Sequence, residues 1–175
     1  MNLEFRIQNS EFRSHAFIAL GSNLGDSAQI LRDAMARLEE ISDAPLIKSS
    51  LWQSAPVDCP PGSPMFVNAV VGLLPRAGET PESLLAKLQA LEKEFGRQPK
   101  QVLNEARSLD LDLITFGTGT RSSATLTLPH PRAHLRRFVL EPLCEIAPDF
   151  TPPGRAETVA ALLAALPADE VLVRL

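Results

Sequence analysis

A chain of 175 residues, 45% of them hydrophobic, is long enough for one domain with a real core and too short for two comfortable ones. Its net charge of −4 argues against a general polyanion binder. The only cysteines, Cys59 and Cys144, lack the spacing of a zinc or redox site, and no apolar run reaches the roughly 18 residues needed to span a bilayer. The first residues also lack the basic-then-apolar layout of a signal peptide, so the expectation is a cytoplasmic protein with reduced thiols, engaging neither nucleic acid nor membrane.

Residues 1–14 show no sustained period and are set apart as an N-terminal extension of uncertain order, with a single domain expected over 15–175. The apolar run His15–Leu20 reads as a strand that stops at Gly21-Ser22-Asn23-Leu24-Gly25, turn chemistry without the lysine of a phosphate-binding Walker loop. A helix over about 26–42 follows, with Ile30, Leu31, Ala34, Met35, Leu38 and Ile41 on one stripe. A second strand is expected over 45–53, then a Pro- and Gly-dense loop, Val57–Pro64, and a β-rich segment over 65–74 that contains one amide, Asn68. Thr80-Pro81 opens a helix whose stripe is Leu84, Leu85, Leu88, Leu91 and Phe95, closed by Gly96. An irregular basic connection, Arg97–Arg107, leads into the next strand. Helices are expected over 139–147 and 157–166, and a short terminal strand over 170–175.

The strand after the basic connection is the informative one. In Arg107-Ser108-Leu109-Asp110-Leu111-Asp112-Leu113, alternation puts Asp110 and Asp112 on one face and the leucines on the other. The two carboxylates stand roughly 6.5–7 Å apart at Cα, so they repel when ionised and can converge on a hard divalent cation whose other positions are filled by water and phosphate oxygens. Alone, the pattern also suits a solvated strand face or another metal-dependent nucleotide transferase. Arg97 and Arg107 add forked donors suited to polyphosphate. The element order, strand-helix-strand-strand-helix-strand, predicts an α+β, ferredoxin-like (βαββαβ) antiparallel sheet with helices on one face and a C-terminal helical extension beside the other. A nucleic-acid-binding module on that sheet would need a basic face or exposed aromatics, and this chain has no Tyr and one Trp.

Several segments occur in a specific order: Ala19–Gly25, Ser50–Val57, Phe66-Val67-Asn68-Ala69, Gly96-Arg97, Arg107–Asp112, and Leu128-Pro129-His130 with Arg136 and Phe138. From about residue 16 to 150 they resemble the 6-hydroxymethyl-7,8-dihydropterin pyrophosphokinase family of folate synthesis. The resemblance implies transfer of the terminal pyrophosphoryl unit of ATP, as co-substrate, to a pterin hydroxymethyl group with release of AMP. It implies that Asp110 and Asp112 hold two Mg²⁺ ions and that Arg97 and Arg107 join them in catalysis. Gln89, Arg97, Arg107, Leu113, His130 and Arg136 then fall at the nucleotide, and Ser54, Ala55, Val57, Phe66, Asn68 and Phe138 at the pterin. The expected partners are these small molecules, with the chain a monomer or weak homodimer. The chain departs from the family pattern at Pro99 (Arg in many members), Asn104-Glu105-Ala106 (Trp-Gly-Pro) and Pro131 (Tyr). Lys100, Arg132 and Arg137 are the candidates to supply the missing charge, and a paralogue with altered substrate or weak activity is the alternative reading.

Overall fold

The structure, a computed structural model, describes residues 9–99 and 101–175. β1 (Ala16–Ser22) lies between β4 (Phe66–Leu73) and β5 (Asp110–Phe116), antiparallel to both, and with β3 at Trp52–Ser54 and β8 at Val173–Arg174 the sheet order is β5-β1-β4-β3-β8. With β2 (Ile47–Lys48) and β3 (Trp52–Ser54) together on the outer side of β4, this is the ferredoxin-like order expected from the element sequence. The expected single strand over 45–53 is broken between β2 and β3. Its middle residue explains the break: Ser49 N–H donates to Val70 O at 3.0 Å, while Val70 N–H donates to the Ser49 hydroxyl at 2.9 Å rather than to a backbone carbonyl.

Two helices cover one face, as the apolar stripes require. α2 (Ser27–Ile41) starts where the Asp26 carboxylate accepts from Gln29 N–H, and α3 (Pro81–Glu94) starts on a reciprocal Thr80–Ser83 capping box with Pro81 in its first turn. Leu31, Leu38, Leu84 and Leu88 pack there against Ile18, Leu20, Leu111 and Leu113. On the opposite face α4 (Arg137–Ile146) and α5 (Val159–Ala165) lie over Phe17, Val70 and Ile114, so the C-terminal extension closes about half of that face. The short helix α1 (Asn9–Phe12) delivers Phe12 into the same core, where Phe12, Phe17 and Phe150 stand 5.0 to 6.0 Å apart between ring centroids. A small hairpin of β6 (Arg121–Ser122) and β7 (Thr127–Leu128) precedes a 3₁₀ turn, Ala133–Leu135, and the terminal strand is reduced to β8 (Val173–Arg174) on the edge of β3. The β1–β5 ladder shifts register between Phe17 and Ile18: Leu113 faces Ile18, Thr115 faces Phe17, and Ile114 is the extra residue.

Candidate active site

The uncovered half of the sheet carries the polar residues. Across the ladders Asp110 faces Gly21, Gly21 faces Asn68, and Asn68 faces Trp52, while Asp112 faces Ala19. Acids and amide thus share one floor, separated by β1, which contributes no side chain at Gly21. A Cβ added there would lie 3.7 Å from Asn68 Oδ1 and 3.9 Å from the Phe66 ring, so any larger side chain would grow into the space between the acidic and amide ends.

Cations surround the acids unequally. Asp110 Oδ1 takes Arg97 Nη1 at 3.0 Å and Arg107 Nη1 at 3.3 Å, whereas among the described residues Asp112 pairs only with Arg136 Nη1, at 4.0 Å. Desolvation by the surrounding protein, then the neighbouring Asp110 charge, raises the Asp112 pKa to about 6, although its side chain remains 35% exposed toward the cleft. Two converging oxygen donors, one of them short of positive charge, suit a hard divalent cation.

Glu92 of α3 organises this end from below. Its buried carboxylate accepts Leu111 N–H at 2.8 Å and pairs with Arg97 Nη1, the atom that also reaches Asp110. Burial is the chief cause of its raised pKa, opposed by the Leu111 N–H and Arg97. Its position four residues after Leu88 places an acid on the apolar stripe, a signal of a specific buried partner that sequence reasoning passed over. Asn23 was also missed, having been read as turn chemistry. Its N–H donates to Arg107 O at 3.1 Å and its Oδ1 accepts Arg107 N–H at 2.9 Å, so one amide side chain anchors the end of the basic connection to the end of β1.

At the other end Asn68, 4% exposed, donates from Nδ2 to Ser54 Oγ at 2.7 Å and to Trp52 O at 3.3 Å. Among the described residues no hydrogen bond is made to its Oδ1, which leaves an acceptor for a ligand edge. Phe66 and Phe138 are each half-buried, and the Arg136 guanidinium stands 5.6 Å from the Phe138 ring centroid. Ala55 and Val57 are exposed on the loop after β3.

His130 N–H donates to Ile114 O at 2.8 Å, and its Nδ1 accepts from Arg132 N–H at 3.2 Å, which leaves Nε2 as the donor. Burial first, then Arg136 and Arg132, depresses its pKa to about 4, so the ring is neutral near pH 7. Gln89 is exposed on α3, and Leu113 is buried in the helix-side core, offering the cleft only its backbone. Of the candidates for extra charge, Arg137 is engaged by Glu141 at 3.2 Å and by the carbonyls of Leu166 and Pro167, and so is spent on joining α4 to α5. Arg132 is exposed, and Lys100 lies outside the described residues. A cavity of about 230 Å³ lies under the basic connection, lined by Leu24, Arg97, Gln98, Pro99 and Arg107 among others.

The profile of the family described as 7,8-dihydro-6-hydroxymethylpterin-pyrophosphokinase (HPPK) matches residues 17–148. The chain is 37% identical over 148 residues to the 2-amino-4-hydroxy-6-hydroxymethyldihydropteridine pyrophosphokinase of Synechocystis sp., covering 85% of this chain and 74% of that one. It is 35% identical to the folic acid synthesis protein fol1 of Pneumocystis carinii, covering 91% of this chain but only 21% of that longer protein. In fold it is similar to the Plasmodium falciparum HPPK-DHPS wild-type crystal structure with pteroate, with a TM-score of 0.67 at 14% identity, over 86% of this chain and 42% of that one. With that profile match and those identities added to the Asp-x-Asp floor, the chain belongs to the 7,8-dihydro-6-hydroxymethylpterin-pyrophosphokinase family, transferring a pyrophosphoryl group to hydroxymethyldihydropterin in folate biosynthesis.

Proposed function

We propose that the uncovered half of the sheet is where ATP and the hydroxymethyldihydropterin meet, with the phosphates at the Asp110–Asp112 end and the pterin at the Asn68 end. The observation that carries this reading is the row Asp110–Gly21–Asn68, which sets a cation-binding pair and a free amide oxygen on one floor with an open strand between them. Asp110 and Asp112 would hold Mg²⁺, two ions on the family pattern, supplying charge that offsets the phosphates and fixes the group in transfer. Arg97, Arg107 and Arg136 already converge on those carboxylates, and a polyphosphate brought there gives each a further anionic partner. His130, neutral with Nε2 as donor, can hydrogen-bond a phosphate oxygen without adding charge. Gln89 and the Leu113 backbone are assigned to the nucleotide side.

The pterin edge is assigned to Asn68 Oδ1 with backbone of Ser54, Ala55 and Val57, and its ring faces to Phe66 and Phe138. Attack by the pterin hydroxymethyl oxygen on the β-phosphorus forms the new P–O bond as the bond to the α-phosphate oxygen breaks; AMP leaves, and the hydroxyl proton passes to solvent. Such a step calls for charge neutralisation and in-line placement more than for a strong base. On this reading the chain works as a monomer or weak homodimer in the cytoplasm, where ATP is available and the free Cys59 and Cys144 stay reduced. The decisive experiment measures AMP formation with Mg²⁺ and ATP, with and without the hydroxymethyldihydropterin. AMP that appears only with the pterin is expected, whereas AMP formed equally without it, or none at all, overturns the assignment.

A further inference from the structure

The free amide oxygen of Asn68 depends on what holds its nitrogen, and both of those acceptors, Trp52 O and Ser54 Oγ, belong to β3. β3 is three residues long, and its outer neighbour β8 is two, so their own ladder bonds are few. Beyond its ladder to β4, the segment is tied to one carboxylate on α4. Glu145 accepts Ser50 N–H at 3.0 Å, Ser50 Oγ at 2.6 Å, Trp52 Nε1 at 2.9 Å and Arg174 Nη2 at 2.7 Å. Arg174 in turn donates from Nε to Ser50 Oγ at 2.9 Å and stands 5.8 Å from the Trp52 ring centroid. Burial alone would raise the Glu145 pKa, but the donors from Ser50 and Trp52 and the Arg174 charge outweigh it and hold the group ionised. The network is separated from β5 and its acids by β4 and β1, so it touches only the amide end of the floor.

Resting on the active-site assignment above, we infer that Glu145 is a positioning residue for pterin recognition: by gripping Ser50 and Trp52 it fixes β3, and β3 fixes the orientation of the Asn68 amide. A carboxylate serves where an amide would not, because all the groups facing it are donors. Losing this grip frees β3 to shift, and the Asn68 amide can then rotate its nitrogen toward the ligand edge.

The test uses the full chain with saturating Mg²⁺. Glu145→Gln replaces one acceptor oxygen by a donor of nearly the same shape and should raise the KM for hydroxymethyldihydropterin about fivefold, as expected for about 1 kcal/mol of lost orientation. Its KM for ATP and its melting temperature should stay near those of the parent. Glu145→Asp should restore part of the loss. Trp52 is the only tryptophan, so its emission should change in the ligand-free Glu145→Gln variant, a readout that needs no turnover. Arg174→Gln, at an exposed edge, carries the same test if the first variant does not fold, with a smaller rise confined to the pterin KM. An unchanged pterin KM, or both KM values rising together with a fall in melting temperature, overturns the inference. If the parent itself forms no pterin-dependent AMP, it is the active-site assignment that has failed instead.

Discussion

The two halves of the face opposite α2 and α3 are built from the same three strands and have opposite contents. At one end Phe17, Val70 and Ile114 lie under α4 and α5 in a dry core; at the other Gly21, Asn68, Asp110 and Asp112 face a cleft. The difference lies in the side chains and in what covers them, since the backbone ladder runs through both. The covered half supplies rigidity, because burying its aromatic and aliphatic groups removes them from water. The open half holds two carboxylates that repel one another and are unevenly balanced by the arginines beside them, and is therefore less stable than an apolar surface would be, a local cost offset by the core beside it.

Exchanging features between the halves should separate the two roles. Asp110→Ala or Asp112→Ala should lower turnover by roughly a thousandfold while the melting temperature stays level or rises, checked by AMP assay and thermal unfolding; a near-normal rate would return the acids to a solvated strand face. In the covered half, Phe17→Ala should cost about 3–5 kcal/mol of stability by opening a cavity within the Phe12–Phe17–Phe150 cluster, with little change in KM for the fraction that remains folded. Asn68→Ala should weaken pterin binding about tenfold by calorimetry and leave ATP binding nearly unchanged. Equal losses for both ligands would mark a packing defect.

The smallest effect is a pH dependence. Because the folded protein raises Asp112 to about 6, it favours the protonated carboxyl. The stability gained that way is complete below the ordinary carboxyl pKa near 4 and disappears as pH rises through 6. The side chain is 35% exposed, and screening limits the change to about 1 kcal/mol. Denaturant titrations without metal at pH 4.5 and 7 should show this fall in the parent and a smaller one in Asp112→Asn, while Mg²⁺ binding strengthens over the same interval.

How much was legible follows from how local each signal is. The alternation around Asp110 and Asp112, the stripe of α2 and the capped start of α3 are short-range patterns, and each formed where it was read. The single strand expected over 45–53 did not, because Ser49 bonds to β4 through its side chain, a choice made by a distant partner. Asn23 looked like a turn residue because its partner, Arg107, is 84 positions away. Arg137 looked like spare positive charge until α5 folded back to take it. The cleft's geometry depends on contacts of this long-range kind, so the residue types were readable before their arrangement was.

The extra residue at Ile114 acts as a stop on the sliding of β5. Ahead of it the even-numbered residues Asp110 and Asp112 face the cleft and the odd-numbered Leu111 and Leu113 face the helices; beyond it Thr115 is opposite Phe17 and Phe116 opposite Ala16, so the phase has reversed. A uniform strand can creep along its neighbour by two residues and keep every side chain on its proper side. This one cannot, because any shift carries the reversal to a place where β1 has no matching irregularity. The carboxylates are therefore held at one height along β1, opposite Gly21 and Ala19, and the strand that supplies them carries its own index mark.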